Sequence, residues 1–583
     1  VNLQPQWILP PVVETSRVRE LAAELRIAPI VAEILLRRGF DQPDAGIDDF
    51  LRPRLKRLSD PFELPDMGPA IQRVLHTVQK RRRIVLYGDY DVDGVTSLAI
   101  LCRVLRAFQA KVECFLPRRV GEGYGLSAAG IERCLEDHQP DLLIAVDCGT
   151  CSVQEIRQLR ERGIEVIVLD HHEALETLPA CTGVINPKRI GRFEYLCSAG
   201  LVFKFCHALL KTQPDVEVDL KDYLDLVALG TVADISPLVD ENRILVRAGL
   251  QRVTQTRWAG LRALMEVARV EPPVSVKDLG FRLGPRLNAA GRLGTAQTAL
   301  DLLLTDNPME ARRLAQELDR QNTARQNVEL RIYEEALAQA HQQMAGTGDA
   351  GNGEGKGNGD STASPRHSIV VGKEDWHPGV LGIVAARIMH QFYRPTVVVG
   401  FDDAGQGKGS GRSTEGLMLV DALSRCGELL TNFGGHAAAA GVTLPRENLD
   451  SFRKAFETSA RELMPRGALC PVLRLDAGIA LDDLLPPLLE EYSFLEPFGM
   501  GNPRPVLFLR QVTPAKPPVL MKEKHLRLEF GSRRHSVRGV FFNSPRPEEL
   551  PRPPWDVAFY LEANHYRGQT NLQLTVQAIR QSR

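Results

Sequence analysis

The chain lacks a membrane span: no apolar run approaches the ~18–20 uninterrupted residues that cross a bilayer. It lacks an excess of either charge, since 72 Lys and Arg meet 73 Asp and Glu, a net −1. That balance neither indicates nor excludes a nucleic-acid partner, because the distribution of charge decides. A disulfide framework and a closed zinc site are also missing. The 10 cysteines are scattered, and Cys148-x-x-Cys151 has no second Cys-x-x-Cys to complete four ligands. Reduced thiols of a cytosolic protein are the expectation. Residues Val1 to Trp7 have no basic stretch leading into an apolar one, so no secretory signal is read there. A first residue of Val rather than Met suggests a trimmed numbering or an unusual start codon. With 583 residues, 43% hydrophobic and 25% charged, the composition is that of a soluble protein of about three to five domains.

What is present is a set of acids and imidazoles placed where strands hand over to loops. Ile84–Tyr87 is followed closely by Asp89, Asp91 and Asp93; Leu142–Val146 by Asp147; and Val166–Leu169 by Asp170, His171 and His172. A further carboxylate, Asp234, closes Gly230-Thr-Val-Ala-Asp. Parallel sheets gather the carboxyl ends of their strands at one crevice. Carboxylates gathered there, with few lysines among them, repel each other unless a cation lies between them. The pattern predicts a hydrolase that uses hard metal ions.

Alternation of apolar runs with amphipathic stretches from Ile84 to about Leu245 predicts βαβ units and a parallel sheet. Residues 309–344 read as one long polar helix, either bridging two domains or packed along one stripe. Gly346 to Asp360 reads as a flexible loop. A smaller α/β unit follows, opening on Ser368–Val371 and containing Pro395–Gly400. After about Val472, five short strands suggest an oligonucleotide-binding (OB) type barrel. The fold class is therefore α/β with a terminal β-barrel. The expected divisions are a helical lead-in at 1–75, a parallel-sheet catalytic domain at 76–305, a connecting helix at 306–345, a Gly-rich loop at 346–366, a second α/β domain at 367–466 and the barrel at 467–583. Between 504 and 583, 14 Lys and Arg stand against 6 Asp and Glu. With Phe541, Phe542, Tyr560 and Tyr566, such a barrel suits single-stranded nucleic acid, which needs a positive groove and stacking faces. A solvated basic surface over core aromatics is the plain alternative.

Two divalent ions about 3.5–4 Å apart bind the attacking and leaving oxygens of an in-line phosphoryl displacement. Asp147, alone at its strand end, is the best placed to bridge them. His171 adds a nitrogen donor, which favours Mn²⁺ somewhat over a purely carboxylate Mg²⁺ site. His172 is expected to point elsewhere, toward the scissile phosphate or the leaving oxygen.

The segments Asp89-Tyr-Asp-Val-Asp-Gly94, Asp147-Cys-Gly-Thr150, Asp170-His-His172 and Gly230-Thr-Val-Ala-Asp234, in this order, resemble the four motifs of the DHH phosphoesterase superfamily. Pro285–Leu293, Trp376–Val384, Gly409–Ser413, Phe433–Gly441 and Leu495–Pro503 extend the resemblance to its bacterial single-strand-specific exonucleases. The resemblance implies that Asp91, Asp93, Asp147, His171 and Asp234 bind two Mn²⁺ or Mg²⁺ ions. It places Asp89 nearby as an acid or ligand, and His172 on the phosphate. Related inorganic pyrophosphatases carry a histidine ligand where this chain has Tyr87, which disfavours that activity.

For the strand itself, Arg286, Asn288 and Arg292 in a turn-rich segment, and Ser410, Arg412 and Ser413 in a Gly-loosened loop, offer phosphate donors. Gly434-Gly435-His436 offers backbone N–H groups and an imidazole, a phosphate nest. The resemblance assigns these last segments to the family's accessory DHHA1 substrate-binding domain. Gly121–Gly125 is a weaker candidate for a loop that closes over the site. The resulting reading is a cytoplasmic, monomeric exonuclease that degrades single-stranded DNA 5′ to 3′ and releases mononucleotides. Direction and DNA preference come from the resemblance alone, as do a role in recombination and repair and partnership with a single-strand-binding protein and a helicase. The rivals are a phosphodiesterase of short oligonucleotides or cyclic dinucleotides, and a non-catalytic DNA-binding scaffold.

Overall fold

The computed structural model describes residues 4–41, 46–118, 122–123, 125–345, 366–465, 467–531, 535–566 and 569–582. The Gly-rich 346–360 stretch lies outside them, as do Gly121 and Tyr124 of the suggested closing loop. Among the described residues no helix is long and apolar enough to cross a membrane.

Amphipathic helices need a partner for their apolar face, and those at the start of the chain find it near the end. Strand β1 (Gln6–Ile8) pairs in parallel with Val472–Arg474. The Thr15–Leu25 and Pro29–Arg37 helices bury Leu21, Ile34 and Leu35 in one core with Leu528, Phe530, Phe559 and Leu574. The later part of the expected lead-in, with Leu55, Leu58 and the buried residues from Leu64 to Val74, packs with the first sheet. The separate 1–75 segment read from sequence is thus corrected: it is divided between two cores.

The first sheet is built from β2 (Arg83–Tyr87), β3 (Lys111–Phe115), β4 (Leu142–Val146), β5 (Glu165–Leu169) and β6 (Gly183–Ile185). All pairs are parallel, in the order β3-β2-β4-β5-β6. The middle strand β4 is apolar at every position because both faces are covered, and all five of its residues are buried; its neighbours β2 and β5 are apolar after a charged first residue, Arg83 and Glu165. The strand order reverses between β2 and β4, and ligands bind outside the carboxyl ends at such a point. Asp89 and Asp147 follow those two strands.

The Pro308–Ala345 helix is both a bridge and a packed stripe. Ala311, Leu314 and Leu318 join the core of the first sheet, while Ile332, Ala336 and Ala340 join that of the second. Between them lies a buried polar stretch. Arg325 donates to Glu329 at 2.6 Å and to Asn322 at 3.0 Å, and Arg387 reaches the other oxygen of Glu329 at 3.1 Å.

The second sheet comprises β7 (Ile369–Glu374), β8 (Thr396–Phe401), β9 (Gln406–Arg412), β10 (Asn432–Gly435) and β11 (Ala439–Pro445), in the order β10-β11-β9-β8-β7. The C-terminal part adds β12 (Val472–Arg474), β13 (Ala477–Gly478), β14 (Leu507–Val512), β15 (Val519–Met521), β16 (His525–Gly531), β17 (Ser536–Phe542), β18 (Trp555–Tyr566) and β19 (Gln569–Gln581). Seven of these form one sheet, ordered β13-β14-β18-β19-β17-β16-β15, with β17 and β19 parallel. The five expected strands are present. The last two, however, run to 12 and 13 residues and are not short.

Candidate active site

The acids after β2 are held by the start of the Val92–Ala107 helix. Asp91 caps it by accepting from the Gly94 N–H at 3.0 Å, a standard role for aspartate. Gly94 has to be glycine because a Cβ there would lie 2.5 Å from the Asp89 carbonyl oxygen. Asp93, in the first turn, is buried and accepts from the Ser198 and Ala199 N–H groups at 2.7 and 2.8 Å. Those amides open the Ser198–Thr212 helix, whose unpaired N–H groups favour an anion. The Ser198 hydroxyl donates to Asp147 at 2.8 Å, so one residue steadies two acids. Asp147 adopts φ of 65°, a left-handed backbone rare outside glycine and found preferentially at functional sites.

Asp170 arranges the two histidines. It accepts from the Thr150 N–H at 2.9 Å, from the His171 N–H at 2.8 Å, and from His172 Nδ1 at 2.7 Å. Burial alone would raise its carboxyl. The hydrogen bond and charge of His172, with Thr150, overcome that and hold it well below the usual carboxylate range. The same pairing outweighs burial at His172 and raises its imidazole. His171 behaves oppositely: burial, then the charge of His172, lowers it to about 4, leaving a neutral ring at neutral pH. Asn186 braces this turn by donating to the Thr150 hydroxyl at 3.0 Å and to the His172 carbonyl at 2.9 Å. Asp234 ends the Leu224–Ala233 helix, not a strand, and its carboxylate accepts from the Ser236 hydroxyl at 2.5 Å. Burial first, then the charge of Asp91, pushes it up to about 6 despite that hydrogen bond.

Three sets of donor atoms converge, each within 4.8 Å: Asp89, Asp91 and Asp147; Asp93, His171 and Asp234; and Asp147, His171 and His172. Asp147 and His171 each belong to two of them. Burial and neighbouring acids drive Asp93 and Asp147 far above their ordinary values, so the bare cluster resists ionisation. His171 Nε2 is buried without a hydrogen-bond partner, 3.3 Å from Asp147 and 3.8 Å from Asp93. An orphaned imidazole nitrogen among carboxylates fits a divalent cation such as Mn²⁺. The expectation that His172 points away is corrected. Its ring centroid lies 4.5 Å from that of His171, and its donor atom converges with those of Asp147 and His171. Tyr87 faces the core and donates to the Gly125 carbonyl at 3.1 Å. Cys148 is buried and Cys151 exposed; both are free thiols.

Family models match three stretches: the DHH family N-terminal domain over 83–231, the DHHA1 domain over 367–462 and the RecJ OB domain over 475–578. The single-stranded-DNA-specific exonuclease RecJ of Bacillus subtilis is 34% identical over 97% of this chain and 69% of its own length. The chain belongs to the RecJ family. The RecJ of Thermus thermophilus is 35% identical over 98% of this chain and 77% of its own. A crystal structure of that organism's RecJ in complex with Mn²⁺ superposes with a TM-score of 0.82 at 32% identity, covering 99% of this chain and 80% of that one.

In this RecJ-family chain the residues expected to hold the strand fall into three kinds. Arg286, Asn288 and Arg292 lie on the Gly284–Leu293 helix, after a π-helical turn at Leu279–Leu283, and not in a turn-rich loop. Arg286 is tied to Asp319 of the long helix at 2.8 Å, and Arg292 donates to the Gly379 carbonyl of the second domain at 2.9 Å. Ser410 and Arg412 sit on strand β9, not in a loosened loop, and Arg412 donates to the Ser410 hydroxyl at 3.0 Å. Ser413 is buried, with its hydroxyl spent on the Leu417 carbonyl at 2.8 Å; this contradicts the phosphate-donor role expected of it. Gly434 and Gly435 form the edge strand β10 and His436 is exposed beyond it; edge strands leave alternate N–H groups unpaired. Glu173, next to His172, is held down first by its hydrogen bond and charge pair with Lys188, then by the charges of His436 and His172. In the barrel, Phe542 is exposed and Phe541 and Tyr560 are half-buried; the Tyr566 side chain lies outside the described residues. Sequence reasoning missed Ser198, Asn186 and Lys188, which stand outside any acidic cluster. It also named Asp170 without giving it a role, although the carboxylate beside two histidines was signal enough.

Proposed function

We propose that this chain is a metal-dependent exonuclease specific for single-stranded DNA, hydrolysing phosphodiester bonds from the 5′ end and releasing mononucleotides. The observation that carries the reading is the overlap of three donor sets on Asp147 and His171 at the switch point of the parallel sheet. Asp91, Asp93, Asp147, His171 and Asp234 would hold two Mn²⁺ or Mg²⁺ ions, with Asp89 beside them. Two such ions, when bound, supply charge neutralisation of the phosphate and a water acidified enough to attack. The chain's own residues do the rest. Asp170 fixes His172 through Nδ1 and favours its protonated form, so that Nε2 donates to a phosphate or leaving oxygen. Arg412 with Ser410, Arg292 and the Gly434–His436 edge position the strand across the cleft, together with Arg286 and Asn288. Ser413 is left out.

The domain divisions that support this reading are 76–305 for catalysis, 306–345 for the bridge, 367–466 for substrate positioning and 467–583, completed by the N-terminal helices, for the nucleic-acid barrel. A cytoplasmic monomer that takes part in recombination and repair, and works with a single-strand-binding protein and a helicase, fits the same reading.

The test is digestion of a long single strand labelled at either end, with Mn²⁺, with EDTA, and with Asp147→Ala. Mononucleotide release from the 5′ end is expected with Mn²⁺ only, falling by about 10³-fold or more in the variant, some 4 kcal/mol of lost transition-state stabilisation. Hydrolysis of dinucleotides without attack on long strands would move the chain to the small-substrate reading. DNA binding without turnover would make it a scaffold.

A further inference from the structure

The segment Leu495–Pro503, which contributed to the family resemblance, is so far without a function. It precedes the barrel, yet it packs against the turn that carries Asp234. That turn leaves the Leu224–Ala233 helix at Asp234, passes Ile235 with φ of 64° and reaches the Asp240–Val253 helix. From within, the Ser236 N–H donates to the Thr231 carbonyl at 3.2 Å, and Asn242 donates to the Pro237 carbonyl at 3.1 Å. From outside, the Leu238 N–H donates to the Met500 carbonyl at 2.7 Å. Gly499 and Gly501 bring this backbone close: a Cβ at 499 would lie 2.7 Å from Leu238 Cδ1, and one at 501 would lie 2.9 Å from Val239 Cγ1 and 3.3 Å from Pro237 Cβ. Gly501 also has φ of 72°, which a side chain strains.

The segment is itself rigid. Asn502 is buried and donates to the Leu495 and Pro497 carbonyls at 2.9 and 2.8 Å. Arg243, buried on the helix that follows the turn, donates to the Phe494, Leu495 and Phe50 carbonyls at 2.8, 3.1 and 2.8 Å. A linker that only joined two domains would need none of this at a metal-site turn.

We propose that Leu495–Pro503 is a positioning element for the metal site, clamping the Asp234–Val239 turn through the Met500 carbonyl and the close approach of Gly499 and Gly501. The proposal rests on the reading of Asp234 as a metal ligand. Groups that orient ligands from outside the coordination sphere typically govern metal affinity by 10- to 100-fold. The test is calorimetric titration of the metal-free full chain with Mn²⁺. Gly501→Ala is expected to bind Mn²⁺ about 10- to 100-fold more weakly, while binding of single-stranded DNA in EDTA is retained. Leu574→Ala, in the barrel core, is expected to lower the melting temperature and leave Mn²⁺ affinity unchanged. If Gly501→Ala does not fold, Leu238→Ala removes the side chain on which Gly499 closes, keeps the backbone bond to Met500, and should also weaken Mn²⁺ binding. Normal Mn²⁺ affinity in the clamp variant, with weak binding by Asp234→Asn, overturns the positioning role alone. Normal affinity in Asp234→Asn itself overturns the ligand reading first.

Discussion

Asp225 measures what burial does to a carboxyl in this molecule when no ligand role competes. Burial pushes it up to about 6, against opposing hydrogen bonds from Thr256, the Leu226 N–H and Trp258. An acid whose folded pKa is raised binds a proton that the unfolded chain, near 3.9, has already released. The resulting stability is complete below about pH 4 and is lost as pH rises through about 6, some 3 kcal/mol in all. With Mn²⁺ present throughout, urea midpoints of the wild type are therefore expected to fall from pH 4 to 7 relative to those of Asp225→Asn. Parallel profiles would refute the assignment. Asp93 and Asp147 are also driven upward by burial, but their second cause is other acids. The candidate site acids were legible in the sequence because several followed apolar runs that had to be neighbouring parallel strands. Asp225, Ser198 and Asn186 were not, because each is defined only by what folds onto it from elsewhere in the chain.

At the scale of elements, the Pro308–Ala345 helix was read correctly for type and extent, since a long stretch without Gly and with only its first residue Pro leaves little else. Its two-core packing was legible only as a choice between bridge and stripe. By contrast, Gly409–Ser413 was taken for a loop and Gly434–Gly435 for a phosphate nest, whereas Gln406–Arg412 and Asn432–Gly435 are strands. Glycine reads as a breaker, but here it lets strands pack closely: a Cβ at Gly409 would meet Val442 at 2.7 Å and Val399 at 2.9 Å. The helix makes a direct test of interdomain registration. Asn327 is exposed, between the two cores, so Asn327→Pro breaks the helix at a cost of about 3 kcal/mol without opening either core. Mn²⁺ binding should persist while degradation of long strands falls and KM rises. Unchanged KM would mean that the second domain does not need the helix to meet its substrate.

At the scale of the whole molecule, the barrel shares its core with the N-terminal helices. Leu35 is fully buried in its core, and Leu35→Ala should cost about 2–5 kcal/mol. A chain truncated to 467–583 should lose its near-ultraviolet circular dichroism or aggregate. A cooperative melt of that fragment would show that the N-terminal helices are dispensable. The sequence pattern identified this stretch as helical but contained nothing about its partner, because the contact spans more than four hundred residues.

That separation also has a consequence in time. A nascent chain emerges at roughly 5–20 residues per second, so the Pro29–Arg37 helix leaves the ribosome roughly 25 to 100 seconds before β14 to β19 exist to cover it. During that interval its apolar face is open to any passing holdase, and the catalytic sheet can close long before the ends of the chain meet.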